Sequence, residues 1–241
     1  MCIRDSNCVV EIDGGEVPIM DGSAAPFVFL LESAGILIQD SPQEAIHIDD
    51  VIEVSDGDSW ARLEPGTGFS VDVTIDYEHP CFLPGPQRLC IDFSRQSFTQ
   101  EVSRARTYAF ETDLKLMRAR GKAKGGNLEN ALLIGNYGLM NPEGLRFRDE
   151  FVRHKILDII GDLYLLGCPV LGKLVAYKPG HRLNYKLATE VYQRIQAGQP
   201  EVQAAESESG GFCAAIFSKN LGYCTHSGAG KSITSFLLQS R

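Results

Sequence analysis

No Cys-x-x-Cys pair occurs among the seven cysteines, Cys2, Cys8, Cys81, Cys90, Cys168, Cys213 and Cys224, and their number is odd. Zinc ribbons and thioredoxin-like motifs therefore find no support, and the scattered thiols are expected to be reduced packing residues of a cytoplasmic protein. No apolar run approaches the roughly 20 residues that cross a bilayer, so no integral membrane segment is expected. The amino terminus MCIRDSN lacks the basic start and apolar core of a signal peptide. Runs of Lys and Arg are also missing, and the formal net charge is −8. Nucleic acid is excluded as a partner, because neutralising phosphates needs clustered basic residues.

What is present is an ordinary globular composition, 44% hydrophobic and 22% charged over 241 residues. That length holds one large domain or two smaller ones, each with its own core. The chain is expected to start in mid-fold, since residues 7–13 already alternate like a strand. Asp21-Gly22-Ser23 then reads as a turn in which Asp21 or Ser23 caps a helix over 24–34, stopped by Gly35. A boundary is expected near Asp40-Ser41-Pro42. Beyond it, residues 46–48, 51–54, 61–63 and 71–75 alternate as short strands of an antiparallel sheet.

Residues 111–120 pattern as an amphipathic helix, and 131–134 and 138–140 as strands. The longest helix is expected over 151–166, with Asp149 and Glu150 at its amino end and Gly167-Cys168-Pro169 stopping it. Strands followed by helices predict an α+β fold. After Pro200 the pattern degrades, so 199–241 is expected to be a poorly structured tail with one marginal strand over 212–217. Its Gly228-Ala229-Gly230-Lys231-Ser232 is not a phosphate loop, because Thr225 stands where that motif needs glycine.

Chemistry concentrates on the predicted long helix. His154 and Asp158 are four residues apart and share a face, one turn from each other, as two ligands of one ion must. Asp162 continues the stripe. Imidazole nitrogen and carboxylate oxygen both suit Zn²⁺, and a catalytic zinc takes about three protein ligands and an open position. An ordinary i,i+4 hydrogen-bonded pair on a solvated face is the simpler reading of His154 and Asp158. The apolar Ile156, Leu157, Ile159, Ile160, Leu163 and Leu165 around them argue instead for a partly buried cleft, where charges need partners.

Four segments in order carry a resemblance: VPIMDGSAAPFVFLLESAGI at 17–36, SRARTYAF at 103–110, FVRHKILDIIGDLYLLG at 151–167 and YKPGHRLN at 177–184. Together they resemble the zinc-dependent UDP-3-O-acyl-N-acetylglucosamine deacetylase family of lipid A biosynthesis, over roughly residues 7–195. The resemblance implies two α+β domains, each a helix layer on a sheet, with the active site between them. Residues 1–42 would be a remnant of a mostly missing first domain, and 43–198 the second, with an insert near 109–145 that helps enclose an acyl chain.

The resemblance also makes His154 and Asp158 zinc ligands, and His181 the charged histidine that stabilises the oxyanion and protonates the leaving amine. Asp162 would raise the pKa of His181. Thr107, Tyr108 and Lys155 match positions that contact the UDP-linked acylated glucosamine substrate, although phenylalanine is usual where Tyr108 stands.

In that family an adjacent Glu-His pair on a first-domain helix supplies the third ligand and the general base. Glu78-His79 is the only such dipeptide here, and it precedes Pro80 in a strand-and-turn context. His47 and His226 are no better placed. The chain is thus expected to be an inactive fragment of a monomeric enzyme; a non-catalytic remnant and an unrelated α+β binding module are the alternatives.

Overall fold

The structure is a computed structural model that describes residues 10–14, 17–37, 44–82, 85–94, 97–121, 125–199 and 202–204. Ten strands and four α-helices occur among them, and the fold is α+β. The first helix, α1 (Ala25–Ala34), starts where Pro26 needs no amide partner and ends at Gly35, whose φ of 87° only glycine adopts freely. No cap bond comes from its N-cap residue, Ala24. Asp21 instead accepts from the Ser23 amide and hydroxyl at 3.0 and 2.8 Å, and the Ser23 hydroxyl accepts from the Ala25 amide at 3.3 Å. α1 buries none of its side chains, leaving Phe29 68% exposed.

A seven-stranded sheet follows, made of β1 (Glu44–His47), β2 (Ile52–Asp56), β3 (Ser59–Glu64), β4 (Phe69–Ile75), β5 (Gln87–Asp92), β9 (Val170–Tyr177) and β10 (Val202–Ala204). It is mixed rather than antiparallel. β9 pairs antiparallel with β3 but parallel with β4 and β1, whereas β2–β3, β4–β5 and β1–β10 are antiparallel. Strand direction is invisible in a local apolar alternation, because it depends on a partner about 100 residues away. β10 lies in the segment expected to be unstructured, where Ile46 registers with Val202 on the sheet edge. The strand expected over 7–13 falls partly outside the described residues, and 10–12 are irregular; 212–217 and 228–232 lie outside them altogether.

A second, three-stranded sheet joins β6 (Tyr108–Phe110) in parallel to β7 (Leu132–Gly135), which pairs with β8 (Gly138–Leu139). α2 (Glu111–Ala119) leaves β6 directly and buries no residue. A single π-turn, Phe98–Val102, leads into the run that carries Ala105 to Tyr108; its 2.8 Å bond runs from the Ser103 amide to the Phe98 carbonyl.

Two helices cover the large sheet, α3 (Glu150–Leu163) and α4 (His181–Gln196), and they pack on each other. α4, with 16 residues, is longer than the 14 of α3, which runs on as a short 3-10 turn to Leu166 before left-handed Gly167 stops it. Phe151, Ile156 and Ile159 from α3 and Leu187 and Val191 from α4 are fully buried against Leu63, Val73, Ile75 and Leu174. Each contributes about 1.5–3 kcal/mol by leaving water, less the cost of ordering it. This core fixes α3 to the sheet and so sets the direction of its polar face. Among the described residues Cys81, Cys90 and Cys168 are free thiols, and no helix is long and apolar enough to cross a membrane.

Candidate active site

One turn of α3 places His154 over Asp158, with Nε2 and Oδ1 3.3 Å apart. The other ring nitrogen, Nδ1, lies 2.9 Å from the Ala105 carbonyl. A carbonyl only accepts, so Nδ1 carries a proton, and in the neutral ring Nε2 is a lone pair. That lone pair faces a carboxylate. Two electron-rich groups at this distance require a cation, either a proton on Nε2 or a metal ion. The donor set fits zinc in type, a nitrogen and an oxygen one turn apart. It is incomplete, because no group of three or more His, Cys, Asp or Glu side chains comes together among the described residues.

Lys155 reaches the same carboxylate, its Nζ 3.0 Å from Asp158 Oδ2. Burial would raise the pKa of Asp158, yet the charges of His154 and Lys155 beside it outweigh burial and hold it well below the usual carboxylate range. For Lys155 burial pulls down, but Asp158 more than compensates and the pKa is raised. Its ammonium also sits 5.2 Å over the Tyr108 ring. The Tyr108 hydroxyl lies 3.1 Å from that of Tyr77, and burial, then Tyr77, push its pKa well above the ordinary tyrosine value.

His181 opens α4 at the end of the loop from β9. Lys178 in that loop has φ 51°, a left-handed conformation that side-chain-bearing residues seldom adopt and that commonly marks functional loops. His181 Nδ1 is 2.8 Å from Asp162 Oδ2, and the same oxygen accepts from Asn184 Nδ2 at 2.8 Å. The bond to Asp162 raises the pKa of His181, and the charge of Asp158 adds to the effect. His181, Asp162, Asp158 and Lys155 therefore lie close enough to act on one another electrostatically.

Thr107, expected to contact the substrate, is held by its backbone: its amide donates to the Gly22 carbonyl at 2.7 Å, and its carbonyl accepts from Leu132 at 2.8 Å. Glu78 and His79 do not join His154. They lie in a turn before a 3-10 helix, Pro80–Phe82, and His79 Nδ1 accepts from the Cys81 amide at 3.2 Å. With Nδ1 as acceptor, Nε2 of the neutral ring holds the proton, which is the wrong tautomer for a ligand at that nitrogen. His226 lies outside the described residues.

Sequence reading missed Asn184, Tyr77 and the Ala105 carbonyl. Asn184 had a signal, since His181 and Asn184 are three apart on one helix face. A backbone carbonyl and a tyrosine 31 residues from its partner had none.

Two His-Asp pairs, one along α3 and one joining α4 to α3, lie beside the mixed sheet of an α+β protein. The chain belongs to the UDP-3-O-acyl N-acetylglycosamine deacetylase family, which matches it over residues 2–193. It is 51% identical over 187 residues to the UDP-3-O-acyl-N-acetylglucosamine deacetylase of Pseudoalteromonas atlantica, an alignment covering 78% of this chain and 62% of that protein. The deacetylase of Thioalkalivibrio sulfidiphilus is 48% identical, covering 84% of this chain and 67% of the relative. For that of Acidithiobacillus ferrooxidans the identity is 49%, covering 79% and 63%. The chain thus spans somewhat under two thirds of the length of most of these relatives. An unrelated binding module is excluded.

Proposed function

We propose that the chain carries two zinc ligands and the acid of an enzyme that hydrolyses the N-acetyl group of UDP-3-O-acyl-N-acetylglucosamine in lipid A biosynthesis. The observation that carries this reading is His154, whose Nδ1 is engaged by the Ala105 carbonyl so that Nε2 faces Asp158 across 3.3 Å. Zinc bound there by His154 and Asp158 would polarise the acetyl carbonyl and lower the pKa of a bound water.

The chain's own residues supply the rest. His181, whose pKa the bond to Asp162 raises, donates to the oxyanion and then passes its proton to the leaving amine. Asp162 stays hydrogen-bonded throughout and holds the ring in place, helped by Asn184. Lys155 neutralises Asp158 and presents a cation to the substrate beside the Tyr108 ring. Thr107, tied into β-structure through its backbone, offers its hydroxyl near the reacting carbonyl. Free thiols among the described cysteines support a cytoplasmic location.

A general base is absent from this set. Glu78 is the only glutamate followed by histidine, and its turn setting gives no helical pairing of base and ligand. Lacking that base costs roughly 10²- to 10⁴-fold. The experiment is acetate release from the UDP-sugar by the purified 241-residue chain with zinc, against a His154→Ala control. No turnover above the control is expected. Zinc-dependent turnover abolished by His154→Ala would keep the site but show that a base exists within these residues, with Glu78 the first suspect.

A further inference from the structure

Glu150 is the first residue of α3, fully buried, and one helical turn before His154. A glutamate with no exposure is unusual, and desolvating it is costly unless every lone pair is used. They are used. Oε1 accepts from the Arg106 amide at 3.0 Å and from Arg106 Nε at 2.9 Å. Oε2 accepts from Arg106 Nη2 at 3.2 Å and from the Arg146 amide at 2.6 Å.

The Arg106 amide and the Ala105 carbonyl belong to one rigid peptide plane. Its N–H end is held by Glu150, and its C=O end accepts from His154 Nδ1 at 2.9 Å. Two side chains four apart on one helix therefore grip opposite ends of the same plane. Arg146 secures the flank, donating to the Arg104 carbonyl at 3.0 Å and pairing with Asp21 at 2.8 Å.

We propose that Glu150 is a positioning residue for His154, acting through the peptide plane between Ala105 and Arg106. Holding the N–H fixes the direction of the carbonyl, and the carbonyl fixes the proton on Nδ1, leaving Nε2 as the lone pair that faces Asp158. A carboxylate accepting at the N–H also polarises the carbonyl and makes it a better acceptor, so the imidazole becomes a stronger donor at Nε2. A purely structural ion pair would need only the guanidinium contacts and would be indifferent to which ring nitrogen carries the proton. The inference rests on the reading of His154 as a ligand through Nε2, but its central measurement does not need the metal.

The test is ¹⁵N NMR of histidine-labelled, metal-free chain, followed by zinc titration of the same samples. Wild type is expected to show a proton held on His154 Nδ1 by the Ala105 carbonyl, whatever occupies Nε2. In Glu150→Gln one of the two oxygens becomes a donor set against two donors, and the charge that polarises the peptide plane is lost, so the Nδ1 proton loses its fixed partner and zinc affinity falls about 10-fold. Glu150→Ala should go further in both. Glu143→Ala, which removes a contact to Arg106 Nη1 at 2.7 Å but none to the peptide plane, should change neither. An unchanged Nδ1 proton in Glu150→Gln, or an equal shift in Glu143→Ala, overturns the proposal. Should Glu150→Ala not fold, Glu150→Gln decides alone. If zinc fails to bind wild type while the Nδ1 proton responds as described, the metal reading falls and the clamp stands.

Discussion

Gly22→Ala should cost this chain more than a glycine substitution in open space, and the structure sets the size of the difference. Gly22 has φ +81°, and a Cβ built on it would meet the Asn130 carbonyl oxygen at 1.9 Å and the Thr107 Cγ2 at 3.4 Å. The obstacle cannot retreat cheaply. Asn130 is buried, its side chain accepts from the Asn127 amide at 2.9 Å and donates to the Gly125 carbonyl at 2.9 Å. Gly22 in turn accepts from the Thr107 amide at 2.7 Å, so displacing it pulls on the strand that carries Tyr108.

A left-handed alanine costs about 1–2 kcal/mol, and losing one buried hydrogen bond adds about 0.5–1.5 kcal/mol. The total is about 1.5–3.5 kcal/mol, or a fall in Tm of about 3–14 °C for a chain of this size. Gly167 is the control, left-handed with φ +79° and with nothing within 4 Å of its Cβ. Gly167→Ala should lose only the backbone part, about 1–2 kcal/mol. Thermal unfolding followed by circular dichroism measures both. Equal losses in the two variants would refute the claim that close approach to Asn130, rather than backbone conformation, makes glycine necessary at position 22.

Acid should weaken the Asp72–Arg88 pair, which is bidentate at 2.6–2.8 Å. The bond from Arg88 lowers the Asp72 pKa from 3.8 to about 2, so its contribution is full above pH 3.8 and fades as pH falls through about 2. With Arg88 largely exposed, screening keeps the contribution small, and Asp72→Asn should flatten that part of an acid-unfolding curve. Tyr108→Phe removes the 3.1 Å hydroxyl contact to Tyr77 but keeps the ring under Lys155. Stability should fall by about 0.5–1.5 kcal/mol in denaturant titration, while zinc affinity stays unchanged.

Local pattern carried much of this fold and only part of the site. The helices at 25–34, 111–119 and 150–163 and strands β2, β3 and β4 follow from apolar period and from Gly35 and Gly167. β9 was not predicted as a strand, although it is the one strand bonded to three others; its run VLGKLVAY is nearly continuous in apolar residues and carries no alternation to read. The His154–Asp158 spacing was legible because helical period alone puts residues four apart together. That Asp162 and His181 meet was carried by resemblance, since α3 and α4 come together only through the core. The Ala105 carbonyl and Glu150 were not legible at all, because a peptide plane has no sequence signature.

Zinc titration of the metal-free chain, by calorimetry, tests the central claim that His154 and Asp158 are ligands. A single zinc should bind, binding should be lost in His154→Ala and in Asp158→Asn, and it should persist in His79→Ala, whose ring is turned to the Cys81 amide. Zinc bound with undiminished affinity and stoichiometry in His154→Ala would contradict the account.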